Sequence, residues 1–266
     1  MSVIEIQDLS LVYRTGKEEF LALDHINATI GSGEFVTIVG SSGCGKSTLL
    51  SVLDGLNKPT GGRVLIDGAP INGTGPERAV VFQQYTLFPW MSARDNVAFG
   101  IKQVRKGIPA KQAEAVSEEY LEKVGLSEFM HKLPGELSGG MQQRVAIARA
   151  LAVDPKILLM DEPFGAIDAR TRVTLQEMLL DLWSQDEEKK TVVFVTHDID
   201  EALLLSDRIF FMEPKRIKDV IDVTIPRPRA KETLYNQEDS NKLLNRLLGL
   251  FYQDVAEQIG NEEVVL

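Results

Sequence analysis

Short apolar runs alternate along the chain with longer stretches in which apolar positions recur every three or four residues, the pattern of a protein that alternates strands with helices. The runs at 3–9, 33–39, 63–67 and 79–82 predict strands, and 45–56 predicts a helix. At Ser92 the period changes. From there to Leu151 almost no β-branched run survives, and within 110–125 the residues Ala113, Val116, Tyr120 and Val124 line one helical face, with Gly125 as a stop signal. The alternation then resumes, with strands predicted at 156–161, 191–196 and 208–212 and helices at 170–185 and 199–206. These elements predict an α/β core, residues 1–85 and 152–225, interrupted by a helical insert over 86–151.

The run IPRPR from Ile225 marks a boundary, because two prolines so close together continue neither a helix nor a central strand. In the tail over 226–266 the residues Leu244, Leu247, Leu248, Phe251, Val255 and Ile259 recur at helical spacing among charges. This amphipathic stripe fits packing on the chain's own core or on a second subunit. It lacks the basic polar face that favours a lipid surface.

Composition narrows the classes. The 266 residues carry 29 Lys and Arg against 39 Asp and Glu, a formal charge of −10, which argues against a surface built to neutralise a nucleic-acid backbone. No apolar run approaches the roughly 18 residues of a membrane span, and the opening MSVIEIQDL does not read as a signal peptide. Cys44 is the single cysteine, so no internal disulfide framework exists, in keeping with a reducing cytosol.

The segment GSSGCGKST, Gly40 to Thr48, fits the G-x-x-x-x-G-K-[ST] pattern and stands where it must, after an apolar strand and at the opening of a helix. Glycines let main-chain N–H groups close around phosphate oxygens, and the helix N-terminus adds partial positive charge. Lys46 then reaches the β and γ phosphates and the Ser47 hydroxyl ligates Mg²⁺. Cys44, within this loop, either faces the nucleotide, where maleimide would block it, or points into the core and is inert. The run ILLMDEP, from Ile157, is an apolar strand that ends in Asp161 and Glu162. Two acids at a strand end also suit a turn or a helix cap. With a phosphate loop in the same chain they suit catalysis: Asp161 holds Mg²⁺ through its water shell, and Glu162 orients or deprotonates the attacking water. In LSGGMQQR, from Leu137, Ser138 and two glycines open a helix, which makes either a plain N-cap or a second anion site.

Together these residues resemble the ATP-binding cassette ATPases over roughly residues 2–225, and LSGGMQQR is similar to that family's signature sequence. The resemblance implies a P-loop, RecA-like ATPase core with N-terminal antiparallel β strands and an inserted helical subdomain. It implies ATP and Mg²⁺ as ligands. The nucleotide contacts it carries over are Gly40, Ser41, Ser42, Gly43, Cys44, Gly45, Lys46, Ser47 and Thr48 in the loop, and Ser138, Gly139, Gly140 and Gln142 in the signature. Tyr13, read as lying in the loop after the first strand, resembles the aromatic that stacks on adenine. Gln83 resembles the glutamine that contacts Mg²⁺ and the attacking water, with Gln84 as the competing register. Asp168 resembles the aspartate that links two nucleotide sites, and His197 the histidine on the γ-phosphate. The chain departs from the pattern at Gly165, Ala166 and Ile167, where many members have Ser-Ala-Leu.

One phosphate loop and one signature imply a second cassette, a homodimer or heterodimer partner whose signature helix caps the ATP of this chain. The run LFPWMSARDNVAFG resembles importer ATPases, and with LLMDEPFGAIDARTR and IPRPR it is most similar to the nitrate, sulfonate, taurine and bicarbonate importer subgroup. That resemblance implies an integral membrane permease as partner, an extracytoplasmic solute-binding protein acting indirectly, and a place at the cytoplasmic face of the inner membrane. Tyr85, Leu87, Phe88, Pro89, Trp90 and Met91 are either core residues of the insert or the lining of a groove that receives a short permease helix. Other importer types, exporters and soluble cassette ATPases are the alternatives.

Overall fold

The first strand carries a change of parity that explains its shape. In β1 (Ile4–Thr15) the buried residues are Ile4 and Ile6, then Leu9 and Leu11, so the inward face passes from even to odd positions. Strict alternation would turn one pair to solvent. A bulge resolves the conflict: the pairing register shifts between Ile6 and Leu9, and Asp8 adopts a φ of 53°. β1 pairs antiparallel with β2 (Glu18–Ile30) on one side and with β4 (Gly61–Ile66) on the other, and β5 (Ala69–Pro70) completes the sheet in the order β2-β1-β4-β5. The computed structural model describes residues 3–16, 18–185, 188–230, 234 and 238–262.

The chain divides into two units. One comprises 2–73 and 193–266 and contains the antiparallel sheet together with a second set of strands. There β3 (Phe35–Gly40), with all six residues buried, runs parallel to β9 (Arg208–Glu213), and β10 (Arg216–Asp222) returns antiparallel to β9. A strand buried on both faces must be continuously apolar, which is how FVTIVG reads. α1 (Lys46–Asp54) follows β3 through the glycine loop, and α6 (Ile199–Leu205) follows β8 (Thr191–Thr196), in which the chain passes from one unit to the other.

The other unit, residues 74–192, pairs β6 (Arg78–Val81) parallel with β7 (Ile157–Asp161) and holds α2 (Ala93–Val104), α3 (Ala110–Lys123), α4 (Gly139–Ala152) and α5 (Ala169–Gln185). Ala93, Val97 and Ile101 of α2 meet Ala113 and Leu121 of α3 and Val145 and Ala148 of α4 in one apolar cluster. The buried line of α3 runs through Ala113, Ser117 and Leu121 toward Val124, with Val116 and Tyr120 only half-buried beside it. The buried Ser117 satisfies its hydroxyl on the Ala113 carbonyl at 2.6 Å, which is why a polar residue sits in the stripe. Asn96, fully buried, folds the preceding loop by accepting from Phe88 N–H at 2.8 Å and donating to the carbonyls of Met91 and Ser92, both at 3.0 Å.

The predicted strands and helices are present, and three strands were not foreseen. β2 (EEFLALDHINATI) buries Ala22, Leu23, Ile26 and Ile30, whose spacing does not alternate, and β10 (RIKDVID) is rich in charge with only Ile221 buried, so neither shows a strand period. β5 is two residues long. β1 also outruns its prediction. Its last four residues pair Val12 with Leu21, Tyr13 with Phe20, Arg14 with Glu19 and Thr15 with Glu18, so Tyr13 stands in a strand and not in a loop. Those residues stand beyond the core and have no apolar alternation to announce them.

The tail forms α7 (Glu238–Glu262). Leu247 is fully buried and Phe251 packs edge-on against Phe211 of β9 with ring centroids 5.0 Å apart. Arg246 makes a bidentate pair with Asp219 of β10, at 2.7 and 2.9 Å. The stripe therefore packs on its own unit; the side chains of Val255 and Ile259 lie outside the described residues. The IPRPR segment is stapled as well. Arg229 donates to the carbonyls of Leu203 at 2.9 Å and Ser206 at 2.5 Å, and burial pushes its guanidinium down to about 10.

If α7 is an integral part of the fold, Leu247→Ala should cost about 2 to 5 kcal/mol in denaturant unfolding. Tyr252→Ala, on the exposed side of the same helix, should change stability by less than about 0.5 kcal/mol. Equal, small effects would show that the helix is only loosely attached.

Candidate functional site

The phosphate loop is built by exclusion of side chains. At Gly40, where β3 ends, a Cβ would collide with the carbonyl oxygen of Met212 and lie 2.9 Å from the Cys44 sulfur. Gly45 is the N-cap of α1 at a φ of 114°, a conformation that side chains rarely adopt, and no side chain caps that helix end. The cap residue itself supplies no side-chain oxygen to the first N–H groups of α1, and a helix N-terminus of this kind favours phosphate. Ser42, Gly43 and Ser47 are exposed, while Ser41 and Thr48 are half-buried. The Lys46 side chain, only 5% exposed, folds back over the loop and donates to the carbonyls of Gly40 and Ser41, both at 2.8 Å. An ammonium held on two neutral carbonyls has no carboxylate to give up when a phosphate arrives.

Cys44 takes the inward of its two expected orientations. Its side chain is 1% exposed, its carbonyl accepts from Lys215 N–H at 2.9 Å, and burial raises the thiol pKa although Lys46 stands nearby. Only its main chain can join the cradle. In the same unit His197 is exposed, directly after β8, and the next residue, Asp198, caps α6 by accepting from Asp200 N–H at 2.9 Å and Glu201 N–H at 3.3 Å. Tyr13 is 38% exposed, beside Phe20 across the β1–β2 ladder.

The acid pair belongs to the other unit. β7 brings Asp161 to a half-buried position at its end, and Glu162 follows with a φ of 43°, a left-handed conformation that is strained for a residue with a side chain. A Cβ placed on Gly165 would lie 3.7 Å from Glu162 Oε2 and 3.6 Å from Gln83 Nε2, so the Gln83 amide and the Glu162 carboxylate converge on this glycine. Gln83 is therefore the register that meets the acid. The departure at Gly165 keeps that small space free of a side chain.

The signature segment is equally constrained. Ser138 caps α4 by accepting from Met141 N–H at 3.3 Å, and Gln142 donates to the carbonyl of Leu137 at 3.1 Å. A Cβ on Gly139 would lie 2.9 Å from the Tyr85 hydroxyl, and one on Gly140 would collide with Thr171. Asp168 accepts from Thr171 N–H at 3.0 Å at the start of α5, and that bond holds its carboxyl below the usual aspartate range. Asp168 thus serves its own helix in this chain.

Sequence reasoning passed over Arg149 and Asn57. Arg149, read as one more helix former in the run VAIARALA, donates to Thr86 O at 2.9 Å, Thr86 Oγ1 at 3.0 Å and Tyr85 O at 3.3 Å, and burial lowers its pKa. The available signal was a lone cation in an apolar helical run. Asn57 bonds the Tyr13 hydroxyl at 2.9 Å, and nothing in the sequence announces that pairing. Among the described residues no three His, Cys, Asp or Glu side chains gather as a metal site. A magnesium ion that binds together with a nucleotide takes most of its ligands from phosphate and water, so such a cluster is not required for it.

Comparison with known proteins adds the following. The ABC transporter family profile matches residues 23–165. The nitrate import ATP-binding protein NrtD of Synechococcus elongatus is 44% identical over 247 residues, 92% of this chain and 89% of that one. The bicarbonate transport ATP-binding protein CmpC of the same organism is 49% identical over 220 residues, 82% of this chain and 33% of that longer protein. Among solved structures, the dimeric post-hydrolysis state of the ATP-binding cassette MJ0796 bound to ADP and Pi superposes with a TM-score of 0.74 at 35% identity, covering 84% of this chain and all of that one.

The buried thiol makes a prediction. In the folded chain Cys44 should react with maleimide far more slowly than in denaturant, with ATP giving no additional protection. Rapid labelling of the native protein, blocked by ATP, would show that the thiol faces the nucleotide.

Proposed function

The chain belongs to the ABC transporter family, and from that premise we propose that it is the ATP-hydrolysing subunit of an importer for a small anion such as nitrate, sulfonate, taurine or bicarbonate. The convergence of Gln83 and Glu162 on Gly165 carries the hydrolytic part of this reading. Likeness to the nitrate and bicarbonate proteins supports the importer part. Residues 1–225 form the ATPase domain in this reading, and 226–266 its tail.

The roles follow from the chemistry of each group. Main-chain N–H groups of residues 40–48 bind the phosphates, and Lys46 exchanges its two carbonyl partners for β and γ phosphate oxygens. Tyr13 stacks on adenine. Ser47, Asp161 and Gln83 would hold magnesium, which when bound would supply positive charge against the charge developing on the phosphates. Gln83 orients the attacking water, and Glu162 takes its proton as the oxygen bonds to the γ-phosphorus. The bond from the γ-phosphorus to the β–γ bridging oxygen breaks, and ADP and inorganic phosphate leave. His197 steadies the γ-phosphate. Ser138, Gly139, Gly140 and Gln142 act on the ATP of a second cassette, and Asp168 links the two sites while capping α5.

Among the described residues no helix is long and apolar enough to cross a membrane; the importer reading, resting on the likeness to import ATP-binding proteins, assigns the membrane path to a permease and the chain to its cytoplasmic face. An extracytoplasmic solute-binding protein would deliver the anion to that permease. Trp90 is the docking anchor in this reading. It is 71% exposed, and Phe88 behind it packs on Trp90 at 5.6 Å and on Phe99 at 4.7 Å between ring centroids. An exposed indole backed by two rings suits a helix-in-groove contact.

Two experiments test the reading. Glu162→Gln should retain ATP binding, lower turnover at least about 100-fold and trap an ATP-bound dimer, whereas Lys46→Ala should weaken ATP binding itself. Wild-type hydrolysis by the first or unchanged affinity in the second would overturn these roles. Trp90→Ala should melt like the wild type yet fail to co-purify with the permease, while Phe88→Ala should melt earlier as well. Normal assembly of the Trp90 variant would defeat the docking assignment.

A further inference from the structure

Tyr13 is tethered by a chain of hydrogen bonds that leads back to the phosphate loop. Asn57, two residues past the C-cap of α1, donates one amide hydrogen to the Tyr13 hydroxyl at 2.9 Å and the other to Ser51 Oγ at 2.8 Å. The Ser51 hydroxyl donates to the carbonyl of Thr48 at 2.7 Å. A primary amide has two N–H groups, and here both are engaged on oxygens whose own positions are fixed from opposite directions. Thr48 is the last residue of the glycine loop motif.

The main chain around Asn57 is pinned on both flanks. The N–H groups of Leu56 and Asn57 donate to the Ser51 carbonyl at 3.0 and 3.2 Å, which ties the loop to α1. Thr60 N–H donates to Ser10 O at 2.9 Å, and Val12 N–H donates to Thr60 Oγ1 at 3.1 Å, which ties the same loop to β1. The amide of Asn57 is thus offered to Tyr13 from a stiff platform. The ring needs one, because it stands on the part of β1 that rises beyond the core and is more than a third exposed. A tyrosine free in solvent samples several rotamers, and a base that stacks on it must first select one, at a cost in ordering.

We infer that Asn57 is a positioning residue for the nucleobase: through Ser51 and the Tyr13 hydroxyl it registers the base-stacking ring to the helix that grips the phosphates. This rests on the reading of Tyr13 as the adenine contact. It goes further by making base affinity depend on a residue that touches neither base nor phosphate. The dependence is selective, since a ligand without a base gains nothing from an ordered ring.

The test titrates the full chain with ATP and with inorganic tripolyphosphate, comparing wild type, Asn57→Ala, Tyr13→Phe, the double variant and Tyr13→Ala. Asn57→Ala and Tyr13→Phe should each weaken ATP binding about three- to tenfold, the range of one hydrogen bond of ordinary strength. The double variant should be no weaker than either single one, because both delete the same bond, and tripolyphosphate affinity should stay at the wild-type value throughout. Additive losses, or equal losses for ATP and tripolyphosphate, would overturn the inference and leave Asn57 with a general role in loop structure. Wild-type ATP affinity in Asn57→Ala, with Tyr13→Ala weakened, would also overturn it while the stacking reading stands. Unchanged affinity in Tyr13→Ala would remove the stacking reading itself. If Asn57→Ala fails to fold, Tyr13→Phe deletes only the accepting oxygen and reads the same bond.

Discussion

A phosphate group can be held by main-chain N–H groups only where no side chain stands in the way, and the backbone of the glycine loop answers that requirement. Gly40 ends its strand against the carbonyl of Met212 with no room for a Cβ, and Gly45 opens α1 in a conformation reserved for glycine. Both demand a rigid support. β3 supplies it, with six consecutive buried residues paired to β9. The cation that completes the loop is held on two neutral carbonyls, which in the proposed mechanism it exchanges for phosphate oxygens.

The same logic, applied to close approach rather than to phosphate, accounts for the other unit. Gly139 and Gly140 admit Tyr85 and Thr171 against the start of α4, and Gly100 lets α2 approach the Arg149 stem, its Cβ position lying 3.1 Å from Arg149 Cγ. Two residues of this unit that matter to the proposed site carry left-handed backbone. Glu162 and Thr86 both have φ above 40°, one beside the reacting water in the proposed mechanism and the other under the Arg149 guanidinium. Asp168 shows how a family position can carry a structural duty as well, since its carboxylate is already engaged on Thr171 N–H.

The residues proposed to meet ligand were legible because their chemistry restricts them to few types at fixed spacing: a glycine loop ending in Lys46 and Ser47, an apolar strand ending in Asp161 and Glu162, a serine and two glycines opening α4. The residues that position them were not. Asn57 works through two hydrogen bonds that any turn asparagine could make, and Arg149 reads as an ordinary helix former. The fold divides in the same way. Strands buried along nearly their whole length announced themselves by composition, as in FVTIVG and ILLMD, whereas β2, whose buried residues are unevenly spaced, and β10 and the end of β1, which are mostly not buried, leave no regular period in the sequence. Tyr13 was misplaced into a loop for that reason.

The segment from Gln83 to Thr86 shows what such positioning residues contribute. At one end the Gln83 amide meets Glu162 across Gly165; three residues on, the Arg149 guanidinium holds both the carbonyl and the hydroxyl of Thr86, and between them the Tyr85 hydroxyl faces Gly139. An extended chain spans at most roughly 3.6 Å per residue, so Gln83 and Tyr85 cannot separate by more than about 7 Å. In the proposed mechanism a displacement of the Gln83 main chain would be felt at Tyr85, whose hydroxyl faces Gly139 at the start of α4. Arg149 makes that transfer stiffer. Two of its bonds hold Thr86 at a positive φ, the third takes the Tyr85 carbonyl, and α2 packs on the Arg149 stem at Gly100. In the proposed transporter, this is the physical content of coupling: a glutamine that senses hydrolysis is joined, by a link too short and too well bonded to go slack, to the signature helix that would act on the second ATP.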